Sequence, residues 1–266
     1  MSSILYALPS DNIAATAILS AAAGSTEDPT YPARNLVNLN PALPAKLLET
    51  SGGWVFDFGA PVSVRLFALI HHNIGAGIST RLQGNAANAW GAPTLNQPLT
   101  IPAYAEDGFC GNPWLDLSGV ANTFQYWRLV VDGVNAAPIA VGEVVFATSK
   151  RQLVHNIAWG LEDEEPHPMI EHRTDSGVST IYDYGTRWRQ WSGEISMTTD
   201  VGRESWRSLS RSTRGRARPF LCIPEPAAND AWFVRLGDTK SAVTRTFLNV
   251  NRIPVTLQEV SVGLPL

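Results

Sequence analysis

The stretch that decides the fold is WVFDFGAPVSVRLFALIHHN, residues 54–73 of this 266-residue chain. Over Trp54–Gly59, aromatic residues alternate with other residues, and a period of two is typical of a β-strand that has one face in solvent. The segment Gly59-Ala60-Pro61 contains glycine and proline, which are common in turns, and it therefore predicts a turn. The run Val62–Ile70 is apolar almost without interruption, which indicates a second strand that is buried. The stretch therefore predicts the middle of a β-sandwich.

Short segments of the same kind recur along the first half of the chain. The patterns predict strands at Ile4–Leu8, Ser79–Gly84, Trp114–Leu117, Phe124–Val131 and Ile139–Phe146. The segment Ala33–Leu36 predicts a single helical turn, Ile13–Ala23 fits either a strand or a short helix, and Asn85–Pro102 predicts a long loop. Many short strands separated by turns, with no long helix among them, predict an all-β sandwich.

The composition shifts near residues 148–151, and we place a domain boundary there, between residues 1–148 and 149–266. In the second part, Asp200–Thr213 is the clearest helical pattern, and Ile181–Thr198 is predicted to be a hairpin rich in aromatic residues. Further strands are predicted at Gln152–Trp159, Pro219–Ile223, Trp232–Leu236, Thr244–Val250 and Val255–Val262. The second part is therefore predicted to be β-rich with one helix.

Composition excludes several classes of function. The formal net charge of −4 gives no overall attraction to nucleic acid or to an anionic membrane. No stretch approaches the roughly 20 apolar residues of a membrane span. No basic residue precedes the apolar segment Ile13–Ala23, so a signal peptide is not expected. The two cysteines, Cys110 and Cys222, are expected to be separate buried thiols in a chain that is made and kept in the cytosol or released by lysis.

Four motifs in the first part resemble those of the galactose-binding-like, discoidin-type β-sandwich family. They follow one another in the order and spacing of that family: YPARNL at Tyr31–Leu36, WVFDFG at Trp54–Gly59, FQYWRL at Phe124–Leu129 and EVVF at Glu143–Phe146. The resemblance implies a jelly-roll β-sandwich over residues 1–148. In some relatives the early loop holds a structural Ca²⁺ through carbonyl groups, but the clustered carboxylates that this ion prefers are missing here.

The second part resembles the tube-type β-barrel of phage tail proteins, in which one helix packs on a small barrel. The features that carry this resemblance are the Trp-rich hairpin before the helix and the turn RGRARPF at Arg214–Phe220. A sandwich joined to such a barrel is similar to phage tail-tip or baseplate proteins of the distal-tail type. The resemblance implies a structural virion component that is made in the host cytoplasm, forms a homo-oligomeric ring, and contacts other tail proteins or a host surface glycan. The alternative is a free carbohydrate-binding module that resembles a lectin.

The strand end at His71, His72 and Asn73 is a candidate carbohydrate-binding site, with Trp90 as its aromatic platform. Sugar sites combine an aromatic face with oriented amide and imidazole groups. The alternative interpretation is structural: one histidine caps the end of the strand and the other is solvated. The sequence leaves both interpretations open.

Patterns that would indicate a metal site or an enzyme are missing. His167 and His172 flank a short segment, but a metal site needs further ligands. The sequence contains no G-x-S-x-G, no phosphate-binding G-x-x-x-x-G-K-[ST] and no H-E-x-x-H motif. Asp57 and Asp116 could be drawn as a carboxylate pair, yet Asp57 is expected to accept backbone hydrogen bonds beside Gly59. We therefore expect no enzymatic activity, no cofactor and no metal.

The predicted helix has two different faces and would begin with Asp200 as its N-cap. At about 100° per residue, Trp206, Leu209 and Thr213 fall on the face that would pack on the barrel. The other face carries a basic stripe, which consists of Arg203, Arg207, Arg211 and Arg214 and is extended by Arg216 and Arg218.

Arginine is favoured where carboxylates are bound across an interface, so the basic stripe is a candidate subunit contact. Its partner would be the acidic patch of a neighbouring copy, formed by Glu162, Asp163, Glu164 and Glu165. A head-to-tail contact of this kind would help to close a ring. One alternative is a solvated basic face with ion pairs inside the chain. A nucleic-acid surface is a third interpretation, which the acidic net charge and the lack of a matching motif disfavour.

Overall fold

A computed structural model describes residues 4–103, 111–153, 162–164, 169–173, 179–183, 189–197, 200–237, 244–247 and 250–260. The strands are β1 (Leu5–Ala7), β2 (Ile18–Ala21), β3 (Ala45–Lys46), β4 (Gly52–Ser63), β5 (Leu66–His72), β6 (Thr80–Asn85), β7 (Leu95–Leu99), β8 (Trp114–Asp116), β9 (Thr123–Val131), β10 (Ala140–Ala147), β11 (Arg151–Gln152), β12 (Glu162–Glu164), β13 (Met169–Arg173), β14 (Ser179–Asp183), β15 (Gln190–Met197), β16 (Phe220–Ile223), β17 (Trp232–Leu236), β18 (Thr244–Phe247) and β19 (Val250–Glu259). One α-helix, α1 (Asp200–Thr213), and the 3₁₀ helices Ala14–Thr16, Ala33–Val37 and Pro226–Ala228 complete the described elements.

The strands form three large antiparallel sheets and one separate hairpin. The outer sheet has the order β2-β4-β9-β6-β7, and the middle sheet has the order β3-β10-β5-β8. The C-terminal sheet has the order β11-β1-β16-β17-β19-β15-β12, with β18 also paired to β19, and β13 pairs with β14. The prediction of a mainly β chain with one helix is confirmed for the described residues.

The outer and middle sheets face each other across an aromatic core. Phe146 of β10 lies at its centre, with its ring centroid 4.8 Å from that of Phe56 and 4.9 Å from that of Phe67. Trp127 contacts the same ring from the outer sheet at 5.8 Å, and Trp54 beside it has no exposed surface. Two packed sheets with interdigitated aromatic side chains are a β-sandwich, as the sequence predicted, whereas the galactose-binding-like type of sandwich stays a prediction.

The second face of the middle sheet packs against the C-terminal sheet. A separate apolar cluster joins them, formed by Ala7, Leu66, Ala68, Ile70, Val145, Ala147, Leu221, Ile223, Ala231 and Phe233. All eight residues of β10 are buried, and β5 is buried at every residue except His71. The apolar run from Leu66 is therefore continuous because its strand has a core on both faces, which confirms the predicted buried strand from this residue on, whereas Val62 and Ser63 belong to β4.

The turn predicted at Gly59-Ala60-Pro61 is wrong, because β4 continues through these residues to Ser63. The pairing of β4 with β9 shifts register between Asp57 and Val62, so the Gly-Ala-Pro segment is a bulge inside a strand. Gly59 has φ +72°, and Asp57 Oδ1 accepts a hydrogen bond from its N–H at 2.8 Å. The structural role predicted for Asp57 is thus confirmed.

The long loop predicted at Asn85–Pro102 contains an unpredicted strand, β7. Leu95 and Leu99 point into the sandwich core, and Pro98 lies between them on the outer face. Because β7 is an edge strand, the missing N–H of a proline costs no ladder hydrogen bond on its open side. The helical turn predicted at Ala33–Leu36 is confirmed, and Ile13–Ala23 contains both of the proposed structures, a 3₁₀ turn followed by β2.

The C-terminal sheet differs from the predicted arrangement in two ways. β14 pairs back with β13, and β15 pairs along eight residues with β19, so the predicted Ile181–Thr198 hairpin is wrong. The tail-tube-like barrel is not formed by the described strands, because β11 and β12 end the strand order and do not pair with each other. The sheet remains open and presents one face to the middle sheet. The C-terminal sheet also includes β1, from the N-terminal part of the chain. The domain boundary between residues 148 and 149 stays a prediction.

Helix α1 has the bounds that the sequence predicted. Trp206, Leu209 and Thr213 are 4%, 2% and 0% exposed, and Trp206 and Leu209 belong to the apolar cluster on the C-terminal sheet. The Thr213 hydroxyl donates to Leu209 O at 3.0 Å, which satisfies this polar group inside the protein. The predicted buried face of the helix is confirmed.

Glu143 is an ionisable residue in the middle sheet with no exposed surface. Its Oε2 accepts a hydrogen bond from the Leu39 N–H at 2.8 Å, whereas Oε1 has no partner among the described residues. Burial raises the pKa of Glu143 to about 9. The carboxyl group therefore holds its proton near neutral pH.

We expect the free energy of unfolding to fall by an amount on the order of 2 kcal/mol as the pH rises from 7 to 9. The folded-state pKa of Glu143 lies above its ordinary value of 4.5, so its contribution is complete below pH 4.5 and is lost as the pH rises through 9. Glu143→Gln retains an acceptor for the Leu39 N–H and does not titrate at this position, so its stability should fall much less across this range, by the smaller contribution of Cys222 that both proteins share. Denaturant unfolding at both pH values measures the difference, and an equal fall in both proteins would contradict the prediction.

Candidate functional site

His72 is buried at the end of β5 and uses both ring nitrogens inside the chain. Nδ1 accepts a hydrogen bond from the Ile74 N–H at 3.1 Å, and Nε2 donates to Gly111 O at 3.1 Å. These partners define the neutral tautomer with its proton on Nε2. Burial lowers the pKa of His72 to about 4, so the ring is uncharged near neutral pH.

His71 lies where the sandwich meets the C-terminal sheet. Its backbone has φ +48°, and its N–H donates to Asn112 Oδ1 at 2.7 Å. Asn112 in turn donates its N–H to Asp230 Oδ1 and its side-chain amide to Ala231 O, both at 2.8 Å. The Nε2 of His71 is buried without a partner among the described residues, and burial lowers the pKa of the ring to about 4.

Asn73 closes the same end of the middle sheet. Its Nδ2 donates to Pro138 O at 2.7 Å, and its Oδ1 accepts from the Ala140 N–H at 2.9 Å. Asn135 Nδ2 also donates to the Asn73 carbonyl at 3.1 Å. The amide of Asn73 thus joins the ends of β5 and β10.

Trp90 lies on the opposite side of the sandwich from the two histidines. Trp90 comes after the C-terminal end of β6, whereas the loop after Asn73 leads to the N-terminal end of this strand. The six residues of β6 span about 17 Å, which separates the two ends. Its indole ring stacks on Arg128, which alternates with the core residues Trp127 and Leu129 and so points to the outer face of the outer sheet. The structure therefore does not bring Trp90 together with His71, His72 and Asn73.

Two contacts fix the indole ring of Trp90 on the outer face. The Arg128 guanidinium carbon lies 4.7 Å from the ring centroid, a cation–π distance. Trp90 Nε1 donates to Asn88 Oδ1 at 2.7 Å. Asn85 shapes the loop between β6 and the tryptophan, because its amide donates to Ala89 O at 2.6 Å and accepts from the Thr94 hydroxyl at 3.0 Å.

A chain of amide groups continues from Arg128 across the outer sheet. The guanidinium donates twice to Gln83 Oε1, at 2.8 and 2.5 Å, and Gln83 Nε2 donates to Asn96 Oδ1 at 3.1 Å. Gln83 is 3% exposed, whereas Asn96 is exposed. Half-buried Tyr126 lies two residues before Arg128, on the same face of β9. Trp90 is thus joined to amide and guanidinium groups, and Tyr126 shares their face of the sheet.

Sequence reasoning included Trp90 in a site but missed Arg128, Gln83 and Asn96. One signal was available, since Arg128 lies between the apolar residues Trp127 and Leu129, and this local alternation places Arg128 on the solvent face of its strand. Residues 86–94 fold back over that face of the outer sheet. The hydrophobic pattern of the sequence does not predict this loop conformation, because it depends on the hydrogen bonds of Asn85.

The basic stripe of α1 is solvent-exposed where its side chains are described. The side chains of Arg207 and Arg211 are 46% and 71% exposed, and both approach Glu204, with N–O distances of 3.8 and 3.0 Å. Arg214, Arg216 and Arg218 are exposed as well. The structure describes the backbone but not the side chains of Arg203, Glu162, Asp163 and Glu164, and Glu165 lies outside the described residues.

The described part of the chain carries neither a candidate metal site nor a helix that could span a membrane. There, no group of three or more His, Cys, Asp or Glu residues could hold a metal ion. No helix in that part is long and apolar enough to cross a membrane. Cys222 is a free buried thiol whose pKa burial raises to about 12. Cys110 and His167 lie outside the described residues, and the side chain of His172 is not described.

Known structures similar to this chain match about half of it. A Streptococcus pneumoniae fucose binding module, SpX-3, covers 52% of this chain over 98% of its own length, with 14% identity and a TM-score of 0.40. The lectin domain of lectinolysin complexed with Lewis B antigen covers 52% over 96%, with 15% identity and a TM-score of 0.41. The family 32 CBM from C. perfringens NanJ in complex with galactose covers 55% over 99%, with 10% identity and a TM-score of 0.38. No protein-family description and no curated protein matches the sequence.

We expect acid to remove stability through His71, because its folded-state pKa of about 4 lies below its ordinary value of 6.5. Such a contribution is present above pH 6.5 and is lost as the pH falls towards 4. His71→Asn removes the titration and suits the left-handed backbone, which asparagine tolerates. Between pH 7 and 4.5 the stability of the variant relative to the wild type should rise by roughly 2 kcal/mol.

Denaturant unfolding of both proteins at the two pH values measures this difference. The comparison isolates His71, because Glu143 and His72 titrate in both proteins. A relative stability that does not change with pH would show that the His71 ring is solvated.

Proposed function

We propose that this protein is a non-catalytic carbohydrate-binding protein, and that Trp90 on the outer sheet is the platform on which a sugar ring stacks. The observation that carries the proposal is the fixed indole. Arg128 supports one face of the ring, and Asn88 holds its N–H. A pre-organised aromatic face loses little conformational freedom on binding, which favours weakly apolar ligands such as the C–H face of a hexose.

The polar groups around Trp90 suit the hydroxyl groups of a sugar. The Asn96 Oδ1 accepts from Gln83 Nε2, while the rest of this exposed amide can face a ligand. The Tyr126 hydroxyl and the Arg128 guanidinium lie on the same face of β9. Aromatic bodies with a few oriented polar groups are the usual composition of small-molecule sites.

This proposal keeps Trp90 from the site that the sequence suggested and leaves out His71, His72 and Asn73. The ring nitrogens of His72 and the amide of Asn73 already bond to the chain, so their hydrogen-bonding capacity is used. The outer-sheet groups Arg128, Gln83 and Asn96 take the place of the polar rim.

Trp90→Ala should weaken binding of the preferred glycan about tenfold or more, since it removes an aromatic stacking contact. A glycan array with the wild-type protein identifies the ligand, and isothermal titration calorimetry then measures the affinity of each variant. Trp90→Phe keeps a smaller aromatic face and should bind at an intermediate strength. His71→Asn, on the other side of the sandwich, is the matched control and should bind as the wild type does.

Two results would count against carbohydrate binding at this site. The first is a wild-type protein that retains no glycan on the array. The second is a folded Trp90→Ala variant with unchanged affinity.

A second candidate function is a ring-forming structural component of a phage tail tip or baseplate. The observation that favours it is the exposed basic surface of α1 and the turn after it, with Arg207, Arg211 and Arg214 facing solvent. Glu204 approaches two of these arginines, which supports ion pairs inside the chain for part of the stripe. Exposed pairs of this kind contribute little stability, so the arginines could exchange them for an acidic partner surface.

If the stripe closes a ring, Arg207→Glu combined with Arg211→Glu should convert the assembled protein to monomers at physiological salt. Light scattering coupled to size exclusion measures the mass. Glu204→Gln is the matched control, because it removes the intrachain partner and should leave assembly intact. A wild-type protein that is monomeric at high concentration would rule out the ring.

A further inference from the structure

A cavity of about 240 Å³ lies between the sandwich and the C-terminal sheet. Val145 of β10 forms one wall, and Leu221 of β16 and Phe233 of β17 form the wall opposite. Val37 is the last residue of the 3₁₀ helix Ala33–Val37, and Leu39 follows two residues later. These two residues form a third side of the cavity. Because each wall comes from a different part of the chain, the cavity exists only where the two sheets meet.

We propose that this cavity binds a small monocarboxylate with an apolar body, such as a short-chain fatty acid. The site is separate from the Trp90 platform, because it lies beyond the middle sheet, on the side that faces away from the outer sheet. The proposal does not depend on carbohydrate binding.

The polar groups that line the cavity are suited to an anion. Arg218 lines it and is exposed, and no carboxylate of the described residues pairs with its guanidinium. Its backbone is held in place, since the Arg218 N–H donates to Thr213 O at 2.9 Å. A guanidinium with free donors beside an apolar wall matches a carboxylate with an apolar tail.

Asn12 supplies a second donor. Its Oδ1 accepts hydrogen bonds from the Ala14 and Phe146 N–H groups, both at 3.1 Å. These bonds fix the amide, and its Nδ2 has no partner within the described part of the chain. Asn12 lines the same cavity as Arg218, and its Nδ2 group is therefore available to donate to a ligand oxygen.

The acidic groups near the cavity do not oppose an anion. The carboxylate of Asp11 is paired with Arg151, whose Nε and Nη2 donate to its two oxygens at 2.8 and 3.1 Å. Glu143 lies two residues before Val145 on the same strand face and binds the backbone of Leu39. Its raised pKa keeps this buried carboxyl uncharged at neutral pH.

The volume sets the size of the ligand. A water molecule occupies about 30 Å³ in the liquid, so 240 Å³ corresponds to about eight non-hydrogen atoms. Hexanoate has this size. Each added methylene should strengthen binding about fourfold until the cavity is full, after which longer chains should gain little.

The experiment titrates the full-length protein with butyrate, hexanoate, octanoate and hexan-1-ol, followed by NMR or calorimetry. We expect binding to strengthen from butyrate to hexanoate and to level off by octanoate, with hexan-1-ol at least about tenfold weaker than hexanoate. Arg218→Ala should weaken hexanoate binding by a similar factor. Arg216→Ala is the matched control, because Arg216 is an exposed arginine two residues away that does not line the cavity.

A second variant tests the location independently of charge. Ala15 lines the cavity and is exposed, so Ala15→Phe should fill the entrance without disturbing the core and abolish hexanoate binding. Trp90→Ala should leave it unchanged, which separates this site from the sugar platform. The proposal is overturned if no carboxylate of the series binds, if hexan-1-ol binds as tightly as hexanoate, or if the folded Arg218→Ala and Ala15→Phe variants bind as the wild type does.

Discussion

The whole arrangement depends on the burial of the middle sheet on both faces. Along β10, Val144 and Phe146 point into the sandwich core, while Val145 and Ala147 point towards the C-terminal sheet. Burying a large apolar side chain contributes about 1.5–3 kcal/mol, and the middle sheet gains this contribution on two sides. Removing either neighbouring layer would expose a continuous apolar face, so the sandwich and the C-terminal sheet stabilise each other. The N-terminal strand β1, which crosses to the C-terminal sheet, adds a covalent connection between these layers.

The same burial determines the charge of the polar groups in and beside the middle sheet. Desolvation disfavours the charged form of any group, so it raises the pKa of an acid and lowers the pKa of a base. Glu143 accordingly keeps its proton, while His71 and His72 lose theirs. All three are neutral near pH 7, and the sheet holds no net charge at these positions. The hydrogen bonds of His72 and Glu143 then serve to fix the loops at Ile74 and Leu39 rather than to balance charge.

The sequence predicts most of this fold wherever side-chain periodicity is strong. The aromatic and apolar run Phe124–Val131 predicted β9, the apolar run after Pro61 predicted most of β5, and the two-faced pattern of α1 predicted its bounds, because in each case the local pattern and the packing agree. Pairing partners were harder to predict. β15 was assigned to a hairpin with the preceding strand, yet it pairs with β19, more than fifty residues later, and no local pattern encodes that choice. The histidine end was ambiguous for the same reason, since its partner Asn112 and the neighbouring Asp230 are distant in sequence.

The layer order also limits where this protein can bind a ligand. Because both faces of the middle sheet are covered, the broad solvent face of the sandwich belongs to the outer sheet. Most outward positions of that sheet carry polar side chains, as a solvated β-face should, but Trp90 is folded back over Arg128. This ring is held in place by the Arg128 guanidinium and by a hydrogen bond to Asn88 Oδ1. The cavity between the middle and C-terminal sheets differs from this polar surface, because its walls are apolar and Arg218 lies beside them. The two places therefore differ in their chemistry: the outer face carries a fixed aromatic ring with polar neighbours, and the cavity carries apolar walls beside a guanidinium.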